Sequence, residues 1–170
     1  LEVARRGLAQ ATPPSSPSIR FAFVGGTVSG QEAVLDNFVQ AVAAAGLQDR
    51  VTISGYRTDI AAVLEAFDIF VLPSTLPDPM PSVVLEAMAM ARPVVANAHG
   101  GSTVMVAHGE TGLLVDPGSP EMMAAALRLL IDQPAVRRWM GDNGRRRFAS
   151  RFSLDRSVRE WTALYDELLA

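Results

Sequence analysis

Five short, almost wholly apolar runs separated by helix-spaced segments constrain this chain more than any other feature of it. "IRFAFVGG" (19–26), "RVTISGY" (50–56), "DIFVLPS" (68–74), "RPVVANA" (92–98) and "GLLVDPG" (112–118) each read as a strand that closes on Gly, Pro or polar residues. The intervening segments carry apolar residues at helical spacing. After the first run, Val34, Phe38, Val42 and Ala45 share one face and Gly46 ends it. In 57–67, Thr58 is the expected N-cap, and Ile60, Val63, Leu64 and Phe67 point inward. A helix is expected at about 82–91, and three more at about 119–132, 134–149 and 153–170. Strands that are apolar throughout need cover on both faces, which a parallel sheet with crossover helices supplies. The expectation is an α/β fold: a doubly wound, mainly parallel, Rossmann-like sheet with helices on both faces. A closed (β/α) barrel usually takes ~250 residues.

Composition narrows the class further. At 170 residues, 49% of them hydrophobic, the chain suits one domain, 1–170, with a sizeable core. Residues 1–10 read as a helix remnant and 11–18 as a Pro/Ser-rich loop, and the first residue is not Met, so a piece of a longer protein is expected. No apolar run reaches the ~20 residues that span a bilayer. Cysteine is absent, which removes disulfides and thiolate metal sites and fits a cytoplasmic protein. The net charge of −3 carries no nucleic-acid footprint. All 15 basic residues are Arg, so this chain supplies no Schiff-base or phosphate-binding lysine.

In open parallel sheets, ligands bind at the carboxyl ends of the strands. Here those ends are Gly25–Gly26, Gly55 to Arg57, Pro73 to Pro81 and Asn97 to Gly101. The stretch "DPMPSVVLEAMAMARPVV" contains two carboxylates that a core helix does not need. With Ser82 as the expected N-cap, Glu86 lies one turn into the helix, roughly 6 Å along its axis. Asp78 precedes the cap in a proline-stiffened loop at the same end. The positive end of the helix dipole and its unpaired N–H groups face the same space. Glu86 pairing an Arg and Asp78 capping a turn is the plainer reading. Positions 83–91 hold no cation, however, so a buried Glu86 has to find its partners elsewhere, and sugar hydroxyls are a suitable donor set.

The run "DPMPSVVLEAMAMARPVVANAHGG…HGETGLLVDPGSPEMMAAAL" resembles the C-terminal half of the retaining glycosyltransferases of family 4, which have the GT-B fold. Their signature is a Glu, seven residues, then a Glu, followed by Ala-Met-Ala, a Pro-Val-Val strand and a Gly-Gly turn. The likeness runs from about Ile19 to the end of the chain, including Asn143 to Phe152.

The resemblance implies transfer of a sugar from a nucleotide-diphosphate donor, with no other cofactor and no metal. It places Glu86 on the ribose hydroxyls and Asp78 on the hydroxyls of the donor sugar. Met80, Pro81, Ser82 and Val83 take the backbone position that approaches sugar and phosphate. Tyr56 and Arg57 lie where the family contacts the base, Gly25, Gly26, Gly100 and Gly101 are further candidate donor-binding residues, and Gly25 and Gly26 could cradle phosphate after their strand. Three departures stand out: Asp78 replaces a Glu, Val104 replaces the Glu after Gly-Gly, and no Lys exists for the diphosphate clamp. The family's first donor-domain strand and its N-terminal acceptor domain are missing from this chain, so the isolated chain is expected to be inactive. Lipid-linked acceptors are common in the family, so the full-length protein is expected in the cytoplasm or at a membrane surface. Two alternatives stay open: a degenerate sugar-nucleotide-binding or docking module, and another GT-B enzyme such as a nucleotide-sugar epimerase or a glycogen-type synthase.

Other residues carry less. His99 is a candidate phosphate contact or a solvated loop residue, and His108 a surface turn. Arg92 reads as a charge at a helix C-terminus. Arg137, Arg138 and Arg145 to Arg147 read as a solvated face. Without G-x-G-x-x-G and an acidic strand end, NAD binding is disfavoured. The last helix stripes Val158, Trp161, Leu164, Tyr165 and Leu168 along one face, and in the family this helix crosses back to the N-terminal domain; part of the stripe is expected to be more exposed than usual here, or buried by a crystal or dimer contact.

Overall fold

The structure is a computed structural model that describes residues 19–27, 30 and 32–169; the expectations for 1–18 lie outside the described residues. Among the described residues, five strands and seven α-helices follow in the expected order. β1 (Phe21–Phe23), α1 (Glu32–Ala44), β2 (Val51–Ile53) and α2 (Ile60–Glu65) come first. β3 (Phe70–Leu72), α3 (Ser82–Ala89), β4 (Val94–Asn97), α4 (Ser102–Met105) and β5 (Gly112–Val115) follow. Three helices close the chain: α5 (Pro120–Asp132), α6 (Pro134–Arg151) and α7 (Leu154–Leu169).

Every strand pair is parallel, but the strands form a pair, β1-β2, and a triplet, β3-β4-β5, rather than one sheet. Among the described residues no strand pairing joins the two groups.

The triplet is buried on both faces because its side chains alternate. Val94 and Ala96 of β4 point into a cluster with Leu64, Phe70, Val84, Ala87 and Met88. Val95 points the other way, to Leu113, Val115, Met123, Leu127, Leu130 and Met140. α3 therefore covers one face and α5 the other, while α6 places Met140 on the second face and brings Phe148 against the first. β1-β2 has a smaller core of Val42 and Leu47 packed on Phe21, Phe38, Ala45 and Val51.

Four local expectations are corrected. Thr58 is not a cap, since Asp59 occupies that place and makes no side-chain cap bond. Ser82 is not the N-cap of α3 either. Pro81 is, with extended backbone that its ring favours, and Ser82 becomes the first helical residue. Val34 is 61% exposed, because only the second half of α1 reaches the sheet. Arg147 is not a solvated charge: it donates to the carbonyls of Met105 and Val104, both at 2.8 Å, and so satisfies the end of α4. The apolar stripe of α7 is exposed along its whole length, as expected in part: α7 has no buried residue, and Trp161 is 60% exposed.

α3 ends in a Schellman arrangement. The Ala91 N–H donates to Met88 O at 3.0 Å and the Arg92 N–H to Ala87 O at 2.9 Å. Ala91 itself sits at φ 55°, the left-handed region. An L-residue there costs roughly 1 kcal/mol or more. Ala91→Gly is therefore expected to raise the unfolding free energy by about 0.5–1 kcal/mol, net of the glycine's greater freedom when unfolded. Urea denaturation checks this, through a higher midpoint at unchanged slope. A lower midpoint would count against the cap.

Candidate donor site

The site is built where the β3–α3 loop meets the turn after β4. Both follow the carboxyl ends of buried strands, as doubly wound sheets require. The Gly101 N–H donates to the Asp78 carbonyl at 2.8 Å. A Cβ on Gly100 would collide with that same carbonyl, and a Cβ on Gly101 with the carbonyl of Pro79. These two glycines thus permit backbone-to-backbone contact. Asp78 further fixes the loop by accepting the Met80 N–H on Oδ1 at 2.9 Å, an Asx-type turn. Residues 74–79 line an open hollow of about 550 Å³, with no basic side chain in the lining.

Glu86 stands beyond that lining. It is exposed rather than buried, so the expectation of a desolvated carboxylate in want of partners is corrected. Its Oε1 accepts from Ser82 Oγ at 3.3 Å, one helical turn back. Ser82 and Glu86, one turn apart, thus share the wet face of α3, while Val84, Ala87 and Met88 hold the helix to the core. Asp78, Met80 and Ser82 are exposed, Val83 is half-buried and Pro81 is buried.

Gly25, Gly26, Tyr56 and Arg57 make a second group at the ends of β1 and β2. The Gly25 N–H donates to Gly55 O at 2.9 Å, and a Cβ on Gly26 would lie 3.7 Å from Tyr56 Cβ. Tyr56 is 82% exposed and free to stack on a flat ligand. Arg57 is engaged at once: its Nε donates to Asp59 Oδ1 at 2.7 Å, and its Nη2 pairs Asp59 Oδ2. The hydrogen bond from this guanidinium holds the Asp59 carboxyl below its ordinary range. The structure thus joins Asp78, Pro79 and Pro81 to Gly100–Gly101 on the β3-β4-β5 triplet, and Gly25–Gly26 to Tyr56 on the β1-β2 pair, as two separate clusters.

Sequence reasoning placed Ser74 and Asn97 at the binding ends of strands but gave neither a role. Asn97 Nδ2 donates to Ser74 O at 2.8 Å, and His99 Nε2 makes a contact of the same length with that oxygen. The available signal was one amide closing the otherwise apolar run Val-Val-Ala-Asn. Arg92 is turned from the site and donates to Phe67 O at 2.9 Å. His108 accepts the Leu114 N–H on Nδ1 at 3.0 Å beside β5, a structural role. Among the described residues no group of three or more His, Cys, Asp or Glu could hold a metal, and no helix is long and apolar enough to cross a membrane.

The sequence profile described as "Glycosyl transferases group 1" matches residues 3–147. A D-inositol 3-phosphate glycosyltransferase of Corynebacterium glutamicum is 34% identical over 155 residues, covering 90% of this chain and 36% of that protein. The crystal structure of Anabaena Alr3699/HepE in complex with UDP superposes with a TM-score of 0.88 at 27% identity, over 97% of this chain and 44% of that one. The C-terminal domain of a glycosyl transferase group 1 family protein (LpcC) from Francisella tularensis has the same fold: TM-score 0.80, 24% identity, 90% of this chain and 77% of that one. The chain thus spans less than half the length of the Corynebacterium and Anabaena proteins.

Proposed function

This chain belongs to the group 1 glycosyl transferases, and on that premise we propose that it is the part of such an enzyme that holds the sugar-nucleotide donor, the complete enzyme transferring the sugar with retention. The observation that carries the reading is the Asp78 loop seated on the Gly100–Gly101 turn beside the start of α3, with an open hollow above it. Asp78 takes the hydroxyls of the donor sugar and Glu86 those of the ribose. The backbone from Met80 to Val83 approaches the phosphates, with Gly100 and Gly101 across from it. Tyr56 and Arg57 meet the base, and Gly25 and Gly26 leave room beside them. No protein nucleophile, metal or further cofactor is invoked. The catalytic contribution is positioning of the donor and stabilisation of the departing phosphate. The UDP bound to the Anabaena relative supports a uridine nucleotide as the first ligand to try.

The chain's share of its relatives' length and the likeness to a separately crystallised C-terminal domain support a half-enzyme. An upstream strand then completes the sheet between β1 and β3, and the exposed stripe of α7 faces the acceptor half. This chain has no Lys, so the Lys that the family sets against the diphosphate comes from outside it.

Ligand-observed NMR with UDP, GDP and ADP and their glucose conjugates tests the reading. One nucleotide series is expected to bind, weakly. Charge-assisted hydrogen bonds contribute about 1.5–3 kcal/mol, so Glu86→Ala is expected to lower affinity for the nucleoside diphosphate about 10- to 100-fold. Asp78→Ala is expected to weaken the sugar conjugate more than the bare nucleotide, which it also affects because the same side chain holds the Met80 N–H. Binding by none of the series, even with the upstream half restored, would refute donor binding. Sustained sugar transfer by this chain alone would refute the half-enzyme.

A further inference from the structure

We propose that Asn97 and His99 are positioning residues that hold the Ser74 carbonyl between two N–H donors and thereby set the course of the loop that presents Asp78 to the donor sugar. The proposal rests on the donor-site reading above. Ser74 opens the lining of the hollow, and the chain reaches Asp78 within that same lining. Its carbonyl oxygen has two lone pairs and receives two contacts of 2.8 Å, from Asn97 Nδ2 and His99 Nε2. A carbonyl only accepts, so His99 donates through Nε2, which leaves Nδ1 as the other polar atom of the ring. That Nδ1 is buried and has no hydrogen-bond partner. The ring is therefore oriented from one side only, by Ser74.

Both donors stand on rigid ground. Asn97 is the last residue of β4, whose residues are all buried, and is itself 6% exposed. The turn is tied back to the sheet by the Ala98 N–H, which donates to Val115 O at 2.8 Å. The far end of the loop is tied to the same turn, through the Gly101 N–H on Asp78 O. The loop is thus fastened at Ser74 and at Asp78 to the one segment 97–101, with the exposed residues 75–77 between the fastenings. Releasing the first fastening frees the approach to Asp78 and leaves α3, with Glu86, on the core.

Two substitutions of the half-buried His99 separate the donor from the ring. His99→Gln keeps an amide N–H at about the reach of Nε2, and His99→Leu fills similar space with no donor. With UDP and UDP-glucose as probes in isothermal titration, His99→Leu is expected to weaken UDP-glucose about 5- to 20-fold and to change UDP less than 2-fold. His99→Gln is expected to match the wild type for both. Equal loss for the two probes in His99→Leu, or no loss for either, overturns the proposal. If the wild-type chain takes up neither probe, the donor reading fails for uridine nucleotides, and amide hydrogen exchange decides the fastening by itself. Faster exchange at residues 75–80 in His99→Leu but not in His99→Gln upholds it, and equal exchange in all three proteins overturns it.

Discussion

Gly141→Ala is expected to destabilise the protein by about 2–3 kcal/mol, although the same change in an ordinary helix interior stabilises by up to about 1 kcal/mol. Gly141 lies in the middle of α6, where α6 crosses the end of α3. A Cβ there would collide with the Ala91 carbonyl, and the Cδ of Pro93 is 3.4 Å away. Both obstacles are backbone or ring atoms beside the fully buried strand β4, so neither can swing aside. The helices must separate instead, and the contacts of Met88 and Met140 with the two cores loosen together. Gly144, one turn on, is the control. Its Cβ would meet Met88 Cγ at 3.7 Å, ordinary contact with a flexible side chain, so Gly144→Ala is expected to be neutral or stabilising. For a domain of this size each kcal/mol moves Tm by about 2–4 °C, so scanning calorimetry separates the two variants easily. Equal Tm values would mean that close approach of α6 and α3 is not what selects the glycine.

The second large effect is expected at Gly101. Its φ of −63° suits any residue, so no conformational argument demands glycine there. Space does: a Cβ would strike the Pro79 carbonyl and lie 3.0 Å from Pro81 Cδ. Gly101→Ala therefore pushes the loop of residues 78–81 away from the turn and breaks the hydrogen bond from Gly101 to Asp78. Sugar-nucleotide affinity is expected to fall at least tenfold, with stability lower by about 1–3 kcal/mol. Titration with UDP-glucose alongside a denaturation curve reads both. Affinity within twofold of the wild type would show that ligand binding does not depend on this backbone contact.

Much of the fold was legible because its signals are local. Fully apolar runs of four to seven residues between helix-spaced segments announce strands covered on both faces, and Val94, Val95 and Ala96 are buried as that pattern demands. Pro and Gly punctuation placed most helix ends within a few residues, and Ser119, at the start of one expected helix, caps α5 by accepting the Met122 N–H at 3.3 Å. Ser82 was misread because a capping serine and a first-turn serine look alike in sequence. Only the extended ψ of Pro81 separates them. Val34 was misread because a helical period states which residues share a face, not how far along its length that face is covered.

The candidate site was legible as a set of residue types, not as a set of contacts. Asp78 and Glu86 stand out as carboxylates in an apolar setting, and the Gly-Gly pair stands out as a turn. That Glu86 is wet, and bonded to Ser82, depends on how α3 is rotated over the sheet. That Asn97 and His99 meet the carbonyl of Ser74 depends on β3 and β4 lying side by side, in the register Phe70 to Val94.

The sequence by itself determined the alternation of strand and helix, the parallel sense that such alternation imposes, the burial of β4 on both faces and the ends of the strands where polar residues collect. These follow from periodicity and from backbone preferences, which act over a few neighbours. The tertiary structure decided which strands pair, which glycines are obligatory and which carbonyls receive the site's donors. Those depend on distances of a few ångströms between segments far apart in the chain, and no local preference encodes them.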